Sequence, residues 1–310
     1  MPPPRPSACT PWRCNARDLA TNREGSGYNV PMTDGPTVPQ RRLPIFLYGT
    51  AWKEERTEEL TRMALAAGFR GIDTANQRKH YDEAAVGAAV AASGVTRTDL
   101  FLQTKYTYAR GQDHRLPYDP KESIAAQVHK SCESSLQHLG ADCIDSFLLH
   151  GPWSDHGWGA QDREAWRAME ELRQAGQVRL LGVSNISREQ LGKLCEEATL
   201  PPTFVQNRCY ARTGWDKDVR DLCRKMGIVY QGFSLLTANR HELGSATMTG
   251  MAARLNQTVP QLVFRFALEL GMLPLTGTSD RKHMQEDLAS ADLGLSAEDI
   301  AVIDRIGQRH

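Results

Sequence analysis

Four side chains, Asp73, Tyr81, Lys105 and His150, have the chemical types needed to move a proton onto a reacting oxygen. A lysine ammonium set against a carboxylate is fixed in position. The same ammonium beside a phenol favours phenolate, lowering a reference pKa of about 10 toward the working range. Such a tyrosine can give a proton to a carbonyl oxygen as hydride reaches its carbon. A histidine can hydrogen-bond that oxygen and orient it. Taken singly, each has a plainer reading: Asp73 as a cap, Lys105 as a solvated strand end, His150 as a satisfied buried histidine. Asp73, Lys105 and His150 gain weight because each closes a short apolar run, in the series Asp73, Lys105, His150, Ser184–Asn185, Gln206 and Ser234.

The elements behind that series repeat. From Leu43 onward eight apolar runs (LPIFLYGTA, GFRGIDTA, DLFLQTK, CIDSFLLH, VRLLGVSN, TFVQN, GIVYQGFS and GMLPLTG) alternate with amphipathic helical stretches. The runs end near residues 51, 74, 105, 149, 184, 206, 233 and 276, a mean interval of about 32 residues and the size of one βα repeat. Ile124, Val128, Cys132 and Leu136 share a helix face closed by Gly140. Ser187 with Gln190 has capping-box spacing, and Ser296 opens a helix with Leu295 and Ile300 as a hydrophobic staple. Eight such units make an α/β fold of the (β/α)8 TIM-barrel type over residues 43–310. A doubly wound open sheet is the alternative, disfavoured by the lack of a Gly-rich first turn. In a barrel the strand ends converge on one mouth, which gathers the whole series.

Composition narrows the function. Lys and Arg number 37, as do Asp and Glu, so the 310-residue chain has no net charge and no basic face for nucleic acid. No run approaches the roughly 18–20 apolar residues of a membrane span. The reading is therefore a small-molecule protein, without nucleic-acid or membrane partners, and a monomer. Seven cysteines, an odd number without a CxxC pair, argue against a disulfide framework or zinc cluster and fit a reducing, cytoplasmic setting. Paired His-x-His ligands are absent as well, which disfavours a metal-dependent barrel hydrolase; no metal is expected. Residues 1–42, rich in Pro, Arg and Gly, read as a disordered or loosely packed arm, with organelle targeting as an alternative role. Its Gly25-Ser26-Gly27 lacks the strand and third glycine of a nucleotide motif.

The segments GFRGIDTANQRKHYDEAAVG, LFLQTKY, DSFLLHGP, VRLLGVSN and FVQN, in that order, resemble the aldo-keto reductases, NAD(P)H-dependent carbonyl reductases built on this barrel. The resemblance spans about Tyr48 to Asp287. It implies a catalytic tetrad of Asp73, Tyr81, Lys105 and His150 with Tyr81 as general acid/base. It also implies that Ser184, Asn185 and Gln206 bond the nicotinamide carboxamide and that Phe233 stacks on its ring. Ser234 and Leu236 match the pyrophosphate side, and Thr276, Gly277, Thr278 and Ser279 a phosphate-binding turn before a helix. Glu286 and Asp287 match an adenine pair; Gly49, Thr50 and Trp52 match the first turn lining the cofactor site.

Two departures stand out. The spacing from Asp73 to Tyr81 is eight, where the family has five; either the loop bulges and returns Tyr81 to its place, which Tyr81-Asp82-Glu83 and Val86-Gly87 favour, or the acid is displaced, with His80 as the rival proton donor. For the 2′-phosphate of NADPH, Leu275 and His283 stand where basic residues are common, and Arg281 or Lys282 would substitute. NADPH is the expected cofactor, with NADH as the alternative. Longer intervals, 106–120 and 151–165, would overhang the mouth. Their Tyr106, Tyr108, Trp153 and Trp158 either line it or pack the loops down, and Gly151 stands where relatives carry an aromatic. The reading is reduction of an aldehyde or ketone; a nicotinamide-binding regulatory barrel with little catalysis is the alternative.

Overall fold

The computed structural model describes residues 43–308, so the expected arm, with Cys9, Cys14 and the Gly25–Gly27 segment, lies outside the described residues, as do 309–310. Eight parallel strands close in sequence order into a barrel: β1 (Leu47–Gly49), β2 (Gly71–Asp73), β3 (Phe101–Tyr106), β4 (Ile144–Leu149), β5 (Val178–Ser184), β6 (Phe204–Arg208), β7 (Val229–Phe233) and β8 (Leu273–Thr276). Each ends within two residues of where the apolar runs stop. The helices are α1 (Thr57–Ala67), α2 (Glu83–Ala92), α3 (Ile124–Leu139), α4 (Ala160–Gln174), α5 (Arg188–Glu197), α6 (Lys217–Met226), α7 (Arg240–Leu243), α8 (Ala246–Leu255), α9 (Val259–Glu269), α10 (Arg281–Ala289) and α11 (Ala297–Arg305). Gly140 closes α3 in the left-handed conformation, and capping boxes built on Ser187 and Ser296 open α5 and α11. Gly87 lets α2 approach α3 closely, since a Cβ there would meet the His138 carbonyl oxygen at 2.1 Å.

The barrel interior is layered, because side chains two apart on a strand share a face. Phe101, Gln103 and Lys105 climb β3; Phe204, Gln206 and Arg208 climb β6; Val229, Gln231 and Phe233 climb β7. Gln103 Nε2 donates to Gln231 Oε1 at 2.8 Å, and Gln231 Nε2 returns a bond to Gln103 Oε1 at 2.9 Å. Strands β3 and β7 are not neighbours in the sheet, so these side chains meet across the barrel axis. Beneath them Leu47, Phe101, Phe204, Leu273 and Leu275 form an apolar plug. The larger core lies between strands and helices, where burial pushes the Cys132, Cys209 and Cys223 thiols up to about 12 and leaves them as inert packing groups. Among the described residues no helix is long and apolar enough to cross a membrane.

Candidate active site

Asp73 ends β2 and Lys105 stands near the end of β3 on the inward face. Lys105 Nζ donates to both Asp73 carboxylate oxygens, at 2.8 and 2.7 Å, and to the Thr74 carbonyl at 2.8 Å. Those three bonds spend all its hydrogens. Both side chains are buried, at 1% and 4% exposure, so the pair survives only because its polar atoms are bonded. Gln103 and Gln206 supply the rest: their Nε2 atoms donate to Asp73 Oδ1 at 2.7 and 3.0 Å. Gln206 also donates to Gln231 at 2.9 Å, so two glutamines hold the carboxylate and Gln231 braces both. Burial pulls the Lys105 ammonium down from its ordinary value, against the opposing pull of Asp73 and Glu83.

Tyr81 stands over this pair. The extra residues fold into a turn in which the amides of His80 and Tyr81 both donate to the Gln77 carbonyl, at 3.1 and 3.0 Å. That turn returns Tyr81 to the mouth, its ring centroid 5.3 Å from Lys105 Nζ. The sequence had suggested that the ammonium lowers the phenol's pKa. Burial instead pushes it well above the usual tyrosine value, with the Asp73 carboxylate adding to the rise. Lys105 is neutralised by Asp73 and meets the ring face without a hydrogen bond to spare, so Tyr81 is held as a neutral acid. His80 is turned aside: its ring stacks on Trp52 at 3.6 Å, and burial and Lys79 depress its pKa. The turn is stitched to the next loop, with Gln77 Nε2 donating to the Gly111 carbonyl at 2.6 Å, Gln112 Nε2 to the Asn76 carbonyl at 2.7 Å and Arg115 Nη2 to the Arg78 carbonyl at 2.7 Å.

His150 follows β4, its ring 6.0 Å from that of Tyr81 and inclined at 68°. Its Nδ1 lies 2.6 Å from Thr107 Oγ1. Burial, then Lys105 and His80, lower its pKa to about 3, so the imidazole is neutral. A neutral ring has one N–H: if the Thr107 hydroxyl donates to Nδ1, the proton resides on Nε2. A cavity of about 550 Å³ opens on the Tyr81 side and one of about 470 Å³ on the His150 side.

The β5–β8 half of the mouth carries no ion pair like that of Lys105. Asn185 Nδ2 donates to the His150 carbonyl at 2.8 Å, and Ser184 Oγ to the Gln206 carbonyl at 2.7 Å. Trp52, Asn185 and Ser234 all have positive φ (60°, 53° and 55°), a strained backbone for residues with side chains, and all three follow strand ends. Phe233 ends β7, with Leu236 three residues on and partly buried. Gly49 and Thr50 pass from β1 into the first turn, where Thr50 Oγ1 donates to the Asp73 carbonyl at 3.0 Å. In the last turn Tyr48 donates from its hydroxyl to the Thr278 carbonyl at 3.0 Å, while Gly277 and Ser279 are exposed.

The α10 N-terminus is partly spoken for. Asp280 Oδ1 accepts from the amides of Lys282 and His283, at 2.8 and 3.0 Å, so fewer donors remain there for a phosphate than the sequence suggested. Asp287 accepts from Thr276 Oγ1 at 2.6 Å, and burial raises its pKa to about 6. Glu286 lies 3.4 Å from Lys282, and Arg281 and His283 are exposed.

The loop aromatics mostly pack rather than line. Tyr106, Tyr108 and Trp158 are buried, and the Tyr108 hydroxyl donates to Asp162 at 3.1 Å; Trp153, half-buried, meets Tyr108 edge-on at 5.0 Å. Sequence reasoning missed Gln103, Gln231, Thr107 and Lys53. The first two were findable, since each precedes a chosen inward residue by two positions. Lys53 was not: its ammonium reaches the Gly277 carbonyl from a distant part of the sequence, and burial, then Arg56, depress its pKa.

Comparison with known proteins gives a consistent set. The profile of the aldo/keto reductase family matches residues 47–308. An aldo-keto reductase of Mycobacterium avium is 31% identical over 273 residues, covering 87% of this chain and 89% of the relative. A glyoxal reductase of Bacillus subtilis is 29% identical over 282 residues, covering 90% and 92%. Among solved structures, a Bombyx mori aldo-keto reductase in complex with NADP superposes with a TM-score of 0.71 at 25% identity, covering 86% of this chain and 89% of that one.

Proposed function

The chain belongs to the aldo/keto reductase family, and from that footing we propose that it reduces an aldehyde or ketone to the alcohol with NADPH as hydride donor and the Tyr81 hydroxyl as proton donor. The observation that carries the reading is the stack of Tyr81 over a Lys105–Asp73 pair that is dry, neutral overall and fully bonded. When bound, NADPH would be held by residues of the β5–β8 half and the first turn and would supply hydride to the carbonyl carbon. The residues there suit it. Lys53 is a half-buried cation with no carboxylate partner among the described residues, set against the turn expected to meet phosphate. Ser234, on a left-handed backbone, directly follows Phe233 at the end of β7.

The work of this chain's own groups follows from their protonation. Tyr81 is kept as a phenol by burial and the Asp73 carboxylate and can release its proton to an oxygen that is gaining charge. Lys105, 5.3 Å from the ring centroid, lies nearer the phenolate than any other described cation, but Asp73 cancels most of its charge, so the proton is released only to an oxygen that is itself gaining charge. His150, neutral and held by Thr107, orients the same oxygen with Nε2–H. The regulatory-barrel alternative draws on the long loop after Asp73 and on the N-terminal arm; the turn at Gln77–Tyr81 weighs against the first, and the arm lies outside the described residues. For a metal-dependent reaction no cluster of three metal-ligating side chains occurs among the described residues.

The test is tryptophan fluorescence titrated with NADPH and with NADH, followed by loss of NADPH absorbance on a panel of aldehydes. NADPH is expected to bind more tightly than NADH, and at least one aldehyde to be reduced. Tyr81→Phe should lower turnover by about 10²–10⁴-fold with NADPH binding retained. A Tyr81→Phe enzyme that turns over like the parent would overturn the assignment of the proton donor.

A further inference from the structure

The inward face of β6 ends in a residue the reductase reading leaves unused. Phe204 belongs to the apolar plug, Gln206 to the amide layer, and Arg208, next on the same face, emerges at the mouth. Its guanidinium is exposed and lies 5.4 Å from the Phe233 ring centroid. No carboxylate or carbonyl bonds it among the described residues, so its N–H donors are unspent. It lines the 470 Å³ cavity that His150 also lines. Arg110 lines the same cavity, pinned by the Pro152 carbonyl at 2.5 Å and by the Trp153 ring at 5.6 Å.

Two carboxylates share that cavity without cancelling the arginines. Asp216 Oδ2 accepts from Asn207 Nδ2 at 2.9 Å and from the Tyr230 hydroxyl at 2.8 Å, which turns it toward the β6–β7 wall. Asp155 is exposed on the loop after β4, and no ion pair joins it to either arginine among the described residues. A guanidinium parked on an aromatic face is already oriented, so less freedom is lost when a ligand takes its paired N–H groups. The ligand geometry that uses such a fork is a carboxylate or phosphate.

We propose that Arg208, backed by Arg110, is an anion site for the substrate: the protein prefers carbonyl compounds that carry a carboxylate, seated on Arg208 while the carbonyl faces Tyr81 and His150. This rests on the reductase reading. The carboxylate is a spectator: hydride adds to the carbonyl carbon, the proton adds to its oxygen, and the acid group leaves unchanged. The competing source of the same anionic contact is a phosphate of the cofactor.

Three matched pairs test it: glyoxylate with glycolaldehyde, succinic semialdehyde with butanal, and 4-carboxybenzaldehyde with benzaldehyde. In at least one pair the acid should have the higher kcat/KM. Arg208→Gln should lower that acid-to-neutral ratio tenfold or more, mainly through KM. Arg208→Lys should restore part of it, and Arg208→Glu should invert it. NADPH binding, read by fluorescence quenching, should stay within about twofold in all three variants. No preference for any acid, or a preference that survives Arg208→Gln, overturns the proposal. A loss of NADPH affinity in Arg208→Gln overturns it in favour of the cofactor phosphate. Calorimetric titration with benzoate, against benzyl alcohol, reads the site without turnover. Benzoate binding that Arg208→Gln abolishes, in a protein that reduces none of the aldehydes, would keep the anion site and sink the reductase reading.

Discussion

The interior of the barrel mouth and its rim are built on opposite terms. In the interior, Asp73, Lys105, Gln103, Gln206 and Gln231 are all buried, and Lys105 has no hydrogen left to give. At the rim, Trp52 is 69% exposed on a left-handed backbone, and Arg208 donates to no group among the described residues. Interior groups are held by hydrogen bonds; the two rim side chains are held only by ring contacts among the described residues. Tyr81 and His150 stand at the boundary, where a fixed electrostatic setting meets an open cavity.

The contrast makes graded predictions. Lys105→Met should be the most damaging change in either region, because it strands the buried Asp73 charge; a loss of about 3–5 kcal/mol is expected in urea unfolding. A loss near zero would mean that water reaches the pair and the interior is not dry. Acid should act next. The His150 pKa is about 3 in the fold against 6.5 for the free group. The unfolded chain therefore takes up a proton first, so the stability tied to neutral His150 is complete above 6.5 and fades as pH falls toward 3. The unfolding midpoint should drop on acidification, and His150→Gln should flatten that slope. A slope unchanged by the substitution would assign the acid sensitivity elsewhere. Trp52→Ala should cost least, within about 0.5 kcal/mol, since so much of the ring already meets solvent. A larger cost would make its stack on His80 part of the framework.

What could be read from the sequence follows the same division. The barrel was legible because a strand has a period of two and a βα unit a nearly constant length, so Asp73, Lys105 and Gln206 fell where the apolar runs ended. Parity would also have given Gln103 and Gln231, had the inward face been followed below the catalytic layer. The direction of the Tyr81 shift was misread because one favourable charge was weighed without the dryness around it or the carboxylate that cancels it. Loop residues obey no such period. Nothing local to Asn76–His80 states that the chain turns back at Gln77, and the burial of Tyr106, Tyr108 and Trp158 depends on partners far away in sequence. Asp280 was overlooked as the α10 cap for a simpler reason, since a turn read as a phosphate site already had an acid beside it.

Barrel enzymes diversify by exchanging loops on a constant scaffold. Three side chain–backbone bonds, from Gln77 to Gly111, Gln112 to Asn76 and Arg115 to Arg78, tie the loop that carries the tyrosine to the long loop after β3. The two loops are therefore one mechanical unit: exchanging either alone removes the side-chain donors or displaces the carbonyls that receive them, and the other loop loses its anchor with it.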